Sequence, residues 1–226
     1  MNVYIWTDSW VPTNWLLWYR PLQSDLNDES WNWKNGSWYS WTWNFGTVWG
    51  KTWAIVTRSG EVTTQHIVTT LNYAWPALTM CWWIYYNTLL TSGRRPWLLT
   101  NCPSNNNSWP IFAIAPRPAQ SNHWSIGIPN NTYSSTSSAT TWTWHFICWV
   151  VSSSWVKIYL NASEIYSTST WNTGTWWSIW RLWCWQLGWL QTTDWWWVDW
   201  YIRHCAVYNR VLTTTEISAF YTNTSN

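Results

Sequence analysis

The sequence predicts an all-β protein, a two-sheet antiparallel sandwich of the jelly-roll type that ends in a short helix. Three observations support this fold class. Short runs of β-branched and aromatic residues recur along the chain, clusters of Asn, Ser, Thr, Gly and Pro separate these runs, and only one segment carries helix signals. The length of 226 residues suits one domain that can bury a substantial core.

The strand-like runs follow one another at short intervals. The long apolar run 77–86 predicts a buried strand, and the run 156–160 alternates, so that Val156, Ile158 and Leu160 share one face. Further strands are predicted at 61–68, 111–115, 145–151, 178–182 and 198–207.

Polar stretches predict the connections between strands. Residues 101–108 and 130–141 are rich in Asn, Ser and Thr, so we expect loops there. Residues 1–14 show no pairing pattern, and we predict an arm or an added edge strand. The jelly-roll domain itself is expected to span residues 15–226.

One segment near the end predicts a helix. Thr213 and Glu216 have the spacing of a capping box, in which each side chain satisfies a backbone N–H of the other residue. Ile217, Phe220 and Tyr221 then fall on one face of the helix, which we expect to pack against the sandwich.

The composition excludes several classes of protein. Charged residues make up 9% of the chain and the net charge is +2, too little for an electrostatic nucleic-acid interface. No apolar run approaches the ~20 residues of a membrane span. The first residues lack the basic start and continuous apolar region of a secretory signal, so export information is expected elsewhere or in a longer chain.

The five cysteines predict neither a zinc site nor a redox motif, because no two of them form a CxxC pair. We interpret Cys81, Cys148 and Cys205 as small buried residues of strands. The spacing also leaves open one surface disulfide, between Cys102 and Cys184.

Several motifs, in a shared order, resemble the laminin-G-like jelly rolls of the concanavalin A-like lectin/glucanase superfamily. The chain reads WH at 144–145, VKIYLN at 156–161 and YNRVLTTTEI at 208–217. The family reads W-H-x-V-A, V-K-I-Y-V-N-G and I-Y-N-R-A-L-S-x-E-E-I. The segments WLLWYRPL at 15–22 and DLNDES at 25–30 resemble the family's opening strand and loop. The resemblance covers residues 15–222 and implies a concanavalin A-like fold.

Tryptophan is the systematic departure from this family pattern, with 32 Trp against 8 Gly. Trp83 and Trp144 stand where the family itself has Trp. Gly of the family pattern is replaced at Trp15, Trp31, Trp33, Trp49, Trp53, Trp155, Trp180 and Trp200. Gly adopts positive φ cheaply and Trp does not. We therefore predict that many Trp are UGA codons that one variant code reads as Trp and another as Gly. A natural Trp-rich carbohydrate-binding surface is the alternative.

The resemblance implies a non-catalytic binding or adhesion module for a carbohydrate or a surface protein, at the cell surface or outside the cell. A structural module that decorates a larger surface or phage-type assembly is the alternative from another class. A glycoside hydrolase or lyase is the weaker one, because the nine acids show no E-x-D-x-E spacing of the sibling glucanases.

The candidate ligand-binding residues come from the region before the last strand. Trp195 and Trp196 belong to the run where a genuine Trp is expected, and flat aromatic rings stack on sugars. Asn172 and Gln186, which we place on a neighbouring loop, are further candidate ligand-binding residues, and either could supply a side-chain oxygen to a calcium ion. A core position for the genuine Trp is an equally good interpretation.

Calcium is the one cofactor that the resemblance implies, and Asp194 and Asp199 are the candidate ligands. The alternative is that Asp194 is a solvated loop acid and Asp199 is a turn residue, with no metal bound. Where the family has an acidic pair, the chain has Arg203 and His204, which removes carboxylates from any metal site there.

His204 has no evident partner in the sequence and would titrate near neutral pH. His145 follows Trp144 as in the family, where it is structural.

Overall fold

The protein is a sandwich of two antiparallel sheets with one C-terminal helix, which confirms the predicted fold class. A computed structural model describes residues 16–20, 30, 37–39, 45–48, 51–54, 66–69, 77–89, 96–100, 113–117, 121–128, 131–169, 185–190 and 200–225. The predicted arm at 1–14, loop at 101–108 and strand at 178–182 lie outside these residues.

The strands are short and follow the chain order. They are β1 Leu16–Arg20, β2 Ser37–Tyr39, β3 Phe45–Val48, β4 Lys51–Ala54, β5 His66–Thr69, β6 Leu78–Tyr86, β7 Pro96–Thr100, β8 Ala113–Arg117, β9 His123–Ile128, β10 Asn131–Ser138, β11 Trp144–Val151, β12 Val156–Leu160, β13 Ser163–Thr168, β14 Trp185–Leu190 and β15 Trp200–Tyr208. The predicted strands at 77–86, 145–151, 156–160 and 198–207 are confirmed, and those at 61–68 and 111–115 overlap β5 and β8.

The first sheet is built around β6. Its described strands follow the order β13-β12-β11-β6-β15-β4-β3, and β1 pairs with β15 beside β4. The second sheet has the order β10-β9-β8-β7-β14-β5-β2. All nine side chains of β6 are buried, as expected for an apolar strand with a neighbour on each side and a layer on each face.

Alternation along β6 gives the first sheet two different faces. Trp82 faces the second sheet and contacts Trp149 of the neighbouring β11 at 4.7 Å between ring centroids, and Trp124 of β9, in the second sheet, reaches Trp149 at 6.3 Å. Trp83 faces the opposite way, toward the helix, and contacts Phe146 at 5.6 Å. The chain therefore has one core between the sheets and a second core beneath the helix.

The helix α1, Thr214–Thr224, begins as the sequence predicts. Thr213 Oγ1 accepts a hydrogen bond from Glu216 N at 3.3 Å, and Glu216 Oε2 accepts one from Thr213 N at 2.8 Å, which confirms the capping box. Ile217 and Phe220 are buried, and Tyr221 is half-buried. Burial of such side chains is worth about 1.5–3 kcal/mol each and holds the helix on the sheet.

The polar stretch 131–138 is a strand, so the predicted loop at 130–141 is wrong over most of its length. β10 pairs with β9, and its Ser134 hydroxyl lies 2.8 Å from the hydroxyl of Ser125. An edge strand needs apolar side chains less than a central one, because only one side of its backbone pairs. Hydrophobic periodicity therefore gives no signal for it.

Two of the five cysteines form a disulfide that the sequence did not predict. Cys81 and Cys148 stand directly opposite each other on β6 and β11, with 4.1 Å between their Cα atoms, and their sulfurs are bonded. Both are buried in strands, as predicted, but their bond was not predicted, because pairing register is invisible across 67 residues of sequence. Cys205 is buried, as predicted. Cys102 and Cys184 lie outside the described residues.

The tryptophans occupy contrasting environments. Trp83, which the family pattern keeps as Trp, donates a hydrogen bond from Nε1 to Thr224 Oγ1 at 2.7 Å. Trp155 is half-buried in the turn between β11 and β12, whereas Trp53 and Trp200 lie in strands. Trp142 has a φ of 62° and is 66% exposed. Trp31 and Trp33 lie outside the described residues.

Candidate functional site

Three aromatic residues align across the three central strands of the first sheet. Trp144 of β11 and Tyr201 of β15 are both the direct register partners of Tyr85 on β6. Their rings lie 5.3 and 5.7 Å from the Tyr85 ring. Residues opposite each other on neighbouring strands point to the same face, so the register alone brings these rings together.

Trp142 completes this cluster, which we call the aromatic rim (Tyr85, Trp142, Trp144 and Tyr201). Its ring meets Tyr85 edge to face at 6.5 Å. Tyr85 is only 1% exposed, whereas Trp142 is the one large apolar side chain that is exposed in the described part of the chain. Asn87 Nδ2 donates a hydrogen bond to the Tyr201 hydroxyl at 3.3 Å and adds a polar edge.

The turn that carries Trp142 is fixed at three points. Ala139 N donates to Asn122 O at 2.9 Å, and Trp142 N donates to Tyr86 O at 2.8 Å. Between them, Thr140 N donates to His145 Nε2 at 3.2 Å. A side chain on a fixed turn loses little freedom on binding, which favours affinity.

His145 is the structural residue that the family resemblance implies. Its ring packs edge to face on Trp124 at 5.5 Å, inside the core between the sheets. Burial lowers the pKa of His145, and its Nε2 lies 3.2 Å from Thr140 N and 3.1 Å from Thr140 O. The side chain therefore supports the turn of Trp142 from behind rather than facing a ligand.

Arg203 and His204 lie beneath the end of the helix, both 2% exposed. Arg203 Nη2 donates to the Thr224 carbonyl, its guanidinium lies 5.9 Å above the Trp83 ring, and burial lowers its pKa to about 10. His204 Nδ1 lies 2.6 Å from the Tyr19 hydroxyl. The expectation that His204 has no partner is thus wrong, since β1 supplies one through a contact between distant parts of the chain.

The predicted ligand and metal residues fall mostly outside the described residues. This holds for Trp195, Trp196, Asn172, Asp194 and Asp199. Gln186 lies in β14, where its backbone pairs with β5 and β7, so its predicted place on a loop is wrong. Among the described residues, no group of three or more His, Cys, Asp or Glu side chains is placed to hold a metal ion.

Both carboxylates in the described part of the chain are held in ion pairs. Glu164 accepts a hydrogen bond from Lys157 Nζ at 2.7 Å, and Glu216 is paired with Arg210 at 2.5 Å. The Arg210 guanidinium, with the capping contacts of Thr213, lowers the pKa of Glu216 to about 2. A glycosidase needs two carboxylates facing one bond, and each of these two is engaged elsewhere.

The fold places the chain among β-sandwich domains of known structure. It has a TM-score of 0.72 and 12% identity with the binding domain of botulinum neurotoxin serotype D/C, covering 94% of this chain and 53% of that one. With the binding domain of Paraclostridial Mosquitocidal Protein 1 it has a TM-score of 0.67 and 15% identity, and the match covers 92% of this chain and 52% of that one. The chain thus spans about half the length of these two domains.

A third solved structure matches over nearly its whole length. It is domain 4 of AbnA, a GH43 extracellular arabinanase from Geobacillus stearothermophilus, in complex with arabinotriose. The TM-score is 0.64 and the identity 17%, covering 91% of this chain and 98% of that domain. No protein-family model and no curated protein sequence matches the chain. No helix in the described residues has the length and apolarity to cross a membrane.

Proposed function

We propose that this chain is a non-catalytic binding module that holds a glycan on the aromatic rim, with a surface protein as the alternative partner. The exposed indole of Trp142 carries this proposal. An exposed ring on a fixed turn, backed by three further aromatic residues, offers the flat apolar surface on which sugar rings stack. The arabinotriose complex of the domain matched over nearly its whole length supports a saccharide ligand.

The setting that fits this function is extracellular or at the cell surface. The disulfide between Cys81 and Cys148 supports it, because such bonds persist mainly in oxidising compartments. The motif order and the sandwich together support a laminin-G-like domain over residues 15–226.

A glycan array with two matched variants tests the proposal. We expect the chain to bind at least one glycan class, and Trp142→Ala to weaken that binding by roughly ten-fold or more, as for central aromatic contacts in interfaces. Tyr166→Ala is the control, because Tyr166 is a half-buried aromatic residue on β13, three strands from β6.

Four results would contradict this assignment. Binding of a surface protein but of no glycan would favour the alternative partner. Stable oligomers without any binding would favour a structural module of a larger assembly, and turnover of a polysaccharide would show an enzyme. Equal loss of binding in the Trp142 and Tyr166 variants would show that glycan binding does not depend on the aromatic rim.

We also infer that many Trp positions are encoded as Gly. Buried Trp82, Trp124 and Trp149 support this inference, because their indole N–H groups have no hydrogen-bond partner among the described residues, whereas Trp83 has one. Each unsatisfied N–H costs about 1–3 kcal/mol.

The codons and the mass of the native protein test this inference. UGA codons with a mass that fits Gly would support it, and UGG at these positions would end it. The codon of Trp142 also bears on the glycan site. UGA there would leave a smaller surface made by Trp144 and Tyr201 over Tyr85, and the array would then be repeated on the Gly-containing protein.

A further inference from the structure

The polar groups of the aromatic rim are uncharged. They are the Tyr201 hydroxyl, the amide of Asn87 that donates to it, and the indole N–H of Trp142. An amide both donates and accepts hydrogen bonds, and a phenol does the same, so the pair matches the hydroxyl groups of a sugar. Neither group offers the positive charge that a carboxylate or sulfate would require.

The charged side chains that the structure describes lie elsewhere. Lys157 pairs opposite Val150, six residues along β11 from Trp144, and is engaged by Glu164. Arg210 approaches Thr79, six residues along β6 from Tyr85. At about 3.4 Å per residue, each lies roughly 20 Å from the aromatic rim. That separation exceeds the screening length of about 8 Å at physiological salt.

Arg203 is the described cation nearest to the aromatic rim, and it is out of reach of a ligand. It pairs opposite Trp83, one row below Tyr85 on the same face of the sheet. Its side chain is covered by the end of α1 and donates to Thr224 O, and only 2% of the residue is exposed. In the sequence, the charges closest to Tyr201 are Asp199 and this buried Arg203, each two residues away.

An anionic glycan would therefore place its charge against apolar rings with no accessible cation among the described residues. Removing a carboxylate from water without a partner costs several kcal/mol. A neutral sugar has no such cost, because its C–H face stacks on an indole and its hydroxyls reach the amide and the phenol.

We propose that the aromatic rim selects uncharged oligosaccharides over sialylated, sulfated or uronate-containing ones. This selectivity rests on the proposed glycan-binding function. In this arrangement Trp142 provides the stacking surface, and Asn87 with Tyr201 reads the sugar hydroxyls. Asn87 and Tyr201 are thus the specificity-determining residues, and Trp142 supplies most of the affinity.

Paired ligands test the selectivity. Titration calorimetry would compare neutral arabino-, gluco- and galacto-oligosaccharides with sialylated or sulfated forms of the same core. We expect the neutral forms to bind at least ten-fold more tightly. Their affinity should be unchanged between about 50 and about 500 mM NaCl, because no ion pair is involved.

Two substitutions locate the selectivity at the aromatic rim. Tyr201→Phe should weaken neutral binding by roughly three- to ten-fold, the value of one hydrogen bond, with Tyr133→Phe at the distant contact with Tyr166 as the control. Asn87→Lys should narrow or reverse the preference against anionic glycans. Circular dichroism spectra would confirm that each variant folds.

The possible failures are distinguishable. Tighter binding of sialylated or sulfated forms that still depends on Trp142 would overturn the selectivity and leave the glycan-binding function standing. Binding that is unchanged in the Tyr201 and Asn87 variants would overturn their assigned role. No measurable binding of either ligand class would overturn the function and the selectivity together.

Discussion

Reduction of the disulfide between Cys81 and Cys148 should destabilise the protein strongly. The bond closes a loop of 67 residues between the two most central strands of the first sheet. The loss of chain entropy that such a bond imposes on the unfolded state corresponds to about 4 kcal/mol at 25 °C. That is a large share of the ~5–15 kcal/mol net stability of a domain, and at this chain length it corresponds to a fall of roughly 8–16 °C in Tm.

Thermal unfolding followed by circular dichroism, with and without dithiothreitol, measures this effect. The double variant Cys81→Ala, Cys148→Ala should unfold at a lower temperature that no longer depends on the reductant. Cys205→Ala is the matched control, because it changes a buried cysteine outside the bond and should retain the sensitivity. The reasoning is refuted if the wild-type midpoint ignores the reductant and the denatured, unreduced protein shows more than three reactive thiols.

Three further predictions concern the helix cap, a turn and the expected metal. Glu216→Gln should cost about 1 kcal/mol. Because the pKa of Glu216 is lowered to about 2, its ionised carboxylate stabilises the fold fully above pH 4.5, and this stabilisation is lost as the pH falls toward about 2. The free energy of unfolding of the variant should therefore depend less on pH over that range. Ala162→Gly should raise the free energy of unfolding by about 1 kcal/mol in urea titrations, because Ala162 has a φ of 64° in a two-residue hairpin turn. The control Ser163→Gly, in the adjoining strand, should lower the free energy of unfolding. Calcium bound by Asp194 and Asp199 predicts a higher Tm with calcium than with EDTA, and equal values would remove this site.

Elements with strong local signals could be predicted from the sequence. The apolar run of β6 and the alternation of β12 define strands without reference to the rest of the fold. The capping box at Thr213 fixes the start of α1 to the residue, because it depends on contacts within four residues. β10 was missed because its stability comes from pairing with β9 rather than from its own apolar residues.

The candidate site could not be predicted, because it depends on register. Tyr85, Trp144 and Tyr201 are separated by tens of residues, and only the pairing of β6 with β11 and β15 brings them together. The disulfide was missed for the same reason. With 32 Trp in the chain, no sequence pattern distinguishes the exposed Trp142 from the others.

The central position of β15 has a consequence for synthesis on the ribosome. β6 pairs with β11 on one side, but its other partner emerges only after roughly 110 further residues. At about 5–20 residues per second, the open edge of β6 waits about 6–22 seconds for that partner. Until β11 (Trp144–Val151) emerges, this strand, whose nine side chains are buried in the folded protein, has neither partner, and from then on it is paired on one side only. The nascent chain is therefore expected to need a chaperone, or a delay of folding, to avoid pairing with its neighbours.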